Sequence, residues 1–241
     1  MAERLFKLNG ESRELEDLRD ALHEGAAIVE RVEEYYYLRL QMDSEQTDVD
    51  ALAAARENLK EINALFLIRD SGFRRVTIAG VSKVDPETGK IITAIFFSGD
   101  CQMQSANRGS LLVGTSPRPR QRTFAEQAFQ LSLTNKALRV ALQTFEAVGD
   151  QWPGLYKVFE TVKKANAGEI PSATNREIDA FRATANNYGD DPTSRHGYDA
   201  KKAIEPRMTI EQARALVQKI LNTWIKNLVD SNDQSEAKLR N

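Results

Sequence analysis

Apolar positions along the chain change their period several times, and each change marks an element. From Glu11 to Glu24, Leu15, Leu18 and Leu22 share one helical face, and Gly25 interrupts the pattern. From Glu34 to Met42 the period drops to two: Tyr36, Leu38, Leu40 and Met42 fall on one side, which predicts a strand, and three consecutive tyrosines favour it. A helix through Ile28, Val32 and Tyr35 competes for the first part of this stretch. After Asp48, which has the chemistry of an N-cap, Leu52, Ala55, Leu59, Ile62 and Phe66 recur at helical spacing. Arg74–Lys83 and Lys90–Ser98 read as two strands joined through Pro86 and Gly89, a tight connection. Residues 1–98 thus predict helix, strand, helix, strand, strand, with antiparallel pairing.

Beyond Arg122 the period is helical, except over Tyr188 to Arg207, which has no clear period. Thr123-Phe124-Ala125-Glu126, Thr174-Asn175-Arg176-Glu177 and Thr209-Ile210-Glu211-Gln212 are capping boxes, in which hydroxyl and acidic or amide side chain each take a free amide of the first turn. The first opens one long helix through Leu131, Leu138, Leu142 and Phe145, ended by Gly149–Gly154. Leu155, Val158, Phe159 and Val162 mark a shorter helix. The second box opens a helix through Ile178, Phe181 and Ala185 that ends near Asn187. The third opens a helix with Ala213, Val217, Ile220, Trp224 and Leu228 in its stripe, widened by Leu216, Leu221 and Ile225, the width of a bundle core. The expected fold class is α+β: a small antiparallel-sheet N-terminal region with helices, followed by an α-helical bundle. The expected domains are an α+β region over 1–115, a Pro/Arg-rich linker over 116–122, a helical bundle over 123–229 and a polar tail over 230–241.

Composition narrows the function classes. The chain has 241 residues, 41% hydrophobic and 28% charged, with a net charge of −2, so no global basic character argues for nucleic acid. A single cysteine, Cys101, excludes an internal disulfide and a cysteine-based zinc site. The charged N-terminus is not a signal peptide, and no apolar run reaches the length of a membrane span, which predicts a cytoplasmic protein without membrane contact. Gly109 to Ser116 has two glycines of a phosphate loop but no lysine after the second, so nucleotide binding is rejected. No serine stands in a nucleophile elbow and no histidine pair has metal spacing, so neither a cofactor nor a metal ligand set is assigned.

Two stretches carry candidate chemistry. Arg118, Arg120 and Arg122 alternate with Pro117 and Pro119: a contact for phosphates or an acidic partner, or a solvated connector. Tyr188 to Arg207 is a long polar segment holding Arg195, His196, Lys201 and Lys202, and the helix before it carries Arg182 and Asn186. A histidine ordinarily titrates near neutrality and arginines stabilise charge on phosphoryl oxygens, so Arg182, Asn186, Arg195 and His196 offer the groups for metal-independent RNA cleavage. The same histidine also fits a surface loop or a helix cap.

Residues 123–229 resemble the HEPN superfamily of helical bundles, found in prokaryotic toxin, antiphage-defence and RNA-processing proteins. The resemblance lies in Leu155-Tyr156-Lys157-Val158-Phe159-Glu160, in the segment ending Arg195-His196-Gly197, and in Pro206 to Ala213 opening a last helix that carries Trp224. It implies an α-helical homodimer that binds and cleaves RNA without metal, with Arg182, Asn186, Arg195 and His196 as catalytic candidates. Arg118, Arg120, Arg122, Lys201 and Lys202 are the candidate contacts to RNA or to a protein partner encoded nearby. Where the family places its arginine before the histidine, this chain has Gly189, Asp190 and Asp191. Two alternatives therefore stand beside a ribonuclease: a non-catalytic dimerisation and interaction module, and a ligand sensor built on the N-terminal region.

Overall fold

The computed structural model describes residues 3–42, 46–85, 91–96, 122–186 and 208–239. The chain divides into two compact units, one of residues 1–63 and 72–130, the other of 64–71 and 131–241.

The first unit is α+β, as expected. Its strands are β1 (Glu3–Asn9), β2 (Ala27–Val32), β3 (Tyr35–Leu40), β4 (Thr77–Val84) and β5 (Ile91–Phe96). Its helices are α1 (Ser12–Ala21) and most of α2 (Asp48–Arg69), which cross over the sheet, and the first turns of α3 (Phe124–Thr134). The five strands form one sheet in the order β2-β3-β1-β4-β5, antiparallel at every neighbour. Without β5, this order and the two crossover helices are the split βαβ arrangement of the ferredoxin-like fold. Val29, Leu38, Phe6 and Val81 stand side by side across the sheet and are buried. Both helices use this face. The Tyr36 hydroxyl donates to Glu16 of α1, and Asp48 of α2 takes Arg4 and Lys83, which share that face by register. The other face carries its own apolar cluster, Leu5, Val32, Tyr37, Val84 and Ile91. Buried Asn63 gives its amide to Val76 O (2.9 Å) and takes Val76 N (3.1 Å), which fixes the chain as it enters β4.

Several expectations in this unit change. β1 is a central strand where none was read: Leu5, Phe6 and Leu8 are buried, and a strand buried on both faces loses its alternation. Ala27–Val32 is strand, so the competing helix is excluded. Thr47, not Asp48, caps α2, its hydroxyl accepting from Asp50 N at 3.2 Å, which releases the Asp48 carboxylate for Arg4 and Lys83.

The second unit is helical: the last turns of α2 and of α3 (Phe124–Thr134), with α4 (Lys136–Val148), α5 (Trp152–Ala165), α6 (Asn175–Asn186) and α7 (Ile210–Leu239). The single long helix expected from 123 is two. Asn135 leaves helical geometry, and its side chain accepts from Leu138 N at 3.0 Å, starting α4 afresh. Residues 230–235 are polar and exposed, and α7 continues as helix through Leu239. α4 and α7 both pack on α5. Gln218 of α7 donates to Leu67 O at 2.8 Å, joining α7 to the end of α2. All three capping boxes form: Thr123 with Glu126, Thr174 with Glu177, and Thr209 with Gln212.

Candidate functional site

Phe181 of α6 is fully buried among Trp152, Tyr156 and Phe159 of α5, with ring centroids 5.9, 6.1 and 5.0 Å away. This aromatic contact fixes the rotation of α6, and so decides where its next residue points. Arg182 lies with its guanidinium carbon 5.3 Å from the centroid of Phe159. A guanidinium beside a ring face still has N–H groups to offer a carboxylate or phosphate.

That guanidinium lines a cleft of about 620 Å³ between the end of α5 and the start of α6. Lys163 comes from the last turn of α5; Asn175, Ile178, Asp179 and Arg182 follow one face of α6; Glu169 comes from the connection. The connection is shaped by left-handed residues, Ala167, Gly168 and Ser172. Gly168 N closes on Lys163 O at 2.8 Å, the turn a helix C-terminus makes through glycine. Ser172 ties it to α7 through Lys219 O (3.3 Å) and Thr223 Oγ1 (3.0 Å). At the head of α6, Glu177 is held below the usual carboxylate range, first by the Thr174 amide, then by the Thr174 hydroxyl, with Lys219 adding to both.

The cleft thus gathers two cations, Lys163 and Arg182, and two carboxylates, Glu169 and Asp179. Among the described residues none of the four is in an ion pair. Such a set suits a ligand bearing both acceptors and donors, with the arginine fork as the anchor for a planar or tetrahedral anion.

Of the residues singled out from sequence, Arg182 is the one found in this cleft. Asn186 is the last residue of α6, and its side chain lies outside the described residues. Arg122 is exposed, next to the Thr123 cap. Arg195, His196, Lys201, Lys202, Arg118 and Arg120 lie outside the described residues, and with them the expected grouping of Arg182 with Arg195 and His196. Lys163, Glu169 and Asp179 were missed. Asp179 and Arg182 stand three apart on one helix face, a signal that was there to read; Lys163 and Glu169 become neighbours of that face only through the turn at Gly168. No family model, no curated protein and no solved structure matches the chain. Among the described residues no helix is long and apolar enough to cross a membrane.

Proposed function

We propose that the helical unit binds RNA at the α5–α6 cleft and cleaves it without a metal ion, as its resemblance to the HEPN superfamily implies. The observation that carries this reading is the cleft's pair of cations, Arg182 and Lys163, neither in an ion pair among the described residues. Arg182 stands one turn before the end of α6, where the chain runs on towards Arg195 and His196. In the proposed reaction His196 takes the proton of a ribose 2′-hydroxyl. The oxygen attacks the adjacent phosphorus, the bond from phosphorus to the 5′-oxygen breaks, and that oxygen leaves with the proton that His196 took up. Arg182 and Arg195 hold the phosphoryl oxygens as charge grows on them. The products are a 2′,3′-cyclic phosphate and a 5′-hydroxyl. A homodimer in a prokaryotic defence role is the setting the same resemblance implies, with the cytoplasm as the location expected from the sequence.

The test is cleavage of total RNA and tRNA by the purified full chain in EDTA, beside His196→Ala and Arg182→Ala, with circular dichroism to show that all three are folded. Wild type should leave 2′,3′-cyclic phosphate ends, and each variant should be slower by about 100-fold or more. Cleavage of equal rate in all three, or none in any, sinks the reading. A second reading, a non-catalytic module that dimerises and binds a protein, is favoured by Glu169 and Asp179, which offset the cleft's two cations. A dimer in light scattering that neither binds nor cuts RNA is its signature.

A further inference from the structure

We propose that His23, Glu24 and Glu126 of the first unit form a binding site for a divalent transition-metal ion of the zinc class. His23 and Glu24 lie in the connection that leaves α1, just before Gly25, whose φ is 91°. Glu126 lies in the first turn of α3. One donor atom from each of the three comes within 4.8 Å of the other two. His23 Nδ1 is 3.3 Å from Glu126 Oε1. Two ligands bound to one ion at zinc distances and tetrahedral angles stand about 3.4 Å apart, so a modest closing of the three donors brings them to the span of a shared ion.

The histidine supplies the second, independent observation. Its side chain is 24% exposed, yet both ring nitrogens are shielded from solvent and neither makes a hydrogen bond. An imidazole in that state lacks a partner for its lone pair, and imidazole is the side chain that metal ions most often take as ligand. The Nδ1 contact with Glu126 meets the distance of an ion pair but not the geometry of a hydrogen bond, and it leaves Nε2 unmet.

Glu126 is buried and already oriented. Its carboxylate accepts from His23 N (2.9 Å), Glu24 N (2.8 Å) and Thr123 N (2.8 Å). Outer hydrogen bonds of this kind hold a metal-binding carboxylate in position; two fall on Oε1 and one on Oε2, so the lone pair left for an ion is on Oε2. The donor set, one imidazole nitrogen and two carboxylates, carries two negative charges when the imidazole is neutral, and a divalent cation balances them. Mixed nitrogen and oxygen ligands suit zinc, with remaining positions filled by water. The ion would clip the α1–β2 connection to the head of α3. It is independent of the chemistry proposed for the helical unit.

The full chain is stripped with EDTA, dialysed, and titrated with zinc chloride by calorimetry; cobalt chloride then reports the ligands through visible absorption. One zinc per chain is expected, together with a rise in melting temperature. His23→Gln should weaken zinc binding by about 100-fold or more and abolish the cobalt spectrum. Glu126→Gln disturbs three amides and is a poor probe, so Glu24→Gln is the second variant and should also weaken binding. Controls His196→Gln and Cys101→Ser should titrate as wild type. Absence of zinc uptake by wild type, or uptake that is unchanged in both His23→Gln and Glu24→Gln, overturns the proposal.

Discussion

Asp48 draws three elements of the sheet unit together through one carboxylate. Arg4 Nε of β1 approaches Oδ1 at 2.9 Å and Lys83 Nζ of β4 approaches Oδ2 at 2.8 Å, while the residue itself opens α2, where the helix dipole favours a negative charge. The hydrogen bond from Lys83, then that from Arg4, holds its pKa below the ordinary carboxylate value despite partial burial. A depressed folded-state pKa means stability that is present above the unfolded value, about 3.9, and lost as pH falls through the lower folded value. Asp48→Asn should therefore cost about 1 kcal/mol at pH 7, a figure kept small because about a third of the side chain meets solvent. The cost should shrink as the pH falls below about 4, measured by urea denaturation across that range. A cost that stays constant into acid would mean that packing, not charge, is responsible. Asp48 was legible as a residue of a helix start but not in its role, because Thr47 takes the cap. The three threonine caps were legible in full, since each bond closes within four residues. The His23–Glu126 contact was not, because its partners are about a hundred residues apart and no local spacing signals them.

At the scale of elements the same contrast appears at the α4–α5 corner. Gly149 to Gly154 reads as a helix terminator, and a break does occur there, but Gly154 belongs to α5. A methyl group at Gly154 would strike the carbonyl oxygen of Val148 and crowd its side chain. Intrinsic propensity says that Gly→Ala inside a helix stabilises by about 1 kcal/mol. Close backbone approach says the opposite, because an overfilled contact costs about 1–3 kcal/mol. The contact should win: Gly154→Ala should lower the denaturation midpoint, with secondary structure retained at low denaturant. A midpoint that rises would mean that α4 and α5 separate more easily than their packing implies. Elements of single-sided burial, such as α5 and α6, were readable from their stripes. β1 was not, because its buried residues Leu5, Phe6 and Leu8 fall on both faces, and the split at Asn135 was hidden by apolar residues that continue on both sides of it.

At the scale of the whole molecule, the order of residues and the order of packing part company. The stretch from Ser116 to Arg122 has the composition of a linker, and a boundary there would leave two separable domains. The compact units instead exchange segments: residues 64–71, at the end of α2, belong to the helical unit, and 123–130, at the head of α3, belong to the sheet unit. Each exchanged segment carries buried groups. Leu65, Leu67 and Ile68 are buried, and Leu67 O accepts from Gln218; Ala125, Glu126, Ala128 and Phe129 are buried in the other. A fragment of residues 123–241 keeps every helix from α3 onward but loses three buried aliphatic side chains, each worth about 2 kcal/mol. That loss is comparable to the whole stability of a typical domain, about 5–15 kcal/mol. The fragment should therefore melt well below the full chain and without a sharp transition, and fusing residues 64–71 to it through a flexible linker should restore part of the cooperativity. Thermal circular dichroism of the two fragments and the full chain decides the matter. A bare fragment that melts sharply at the full-chain temperature would place the boundary where composition puts it, and would mean that α2 ends in the helical unit without supporting it.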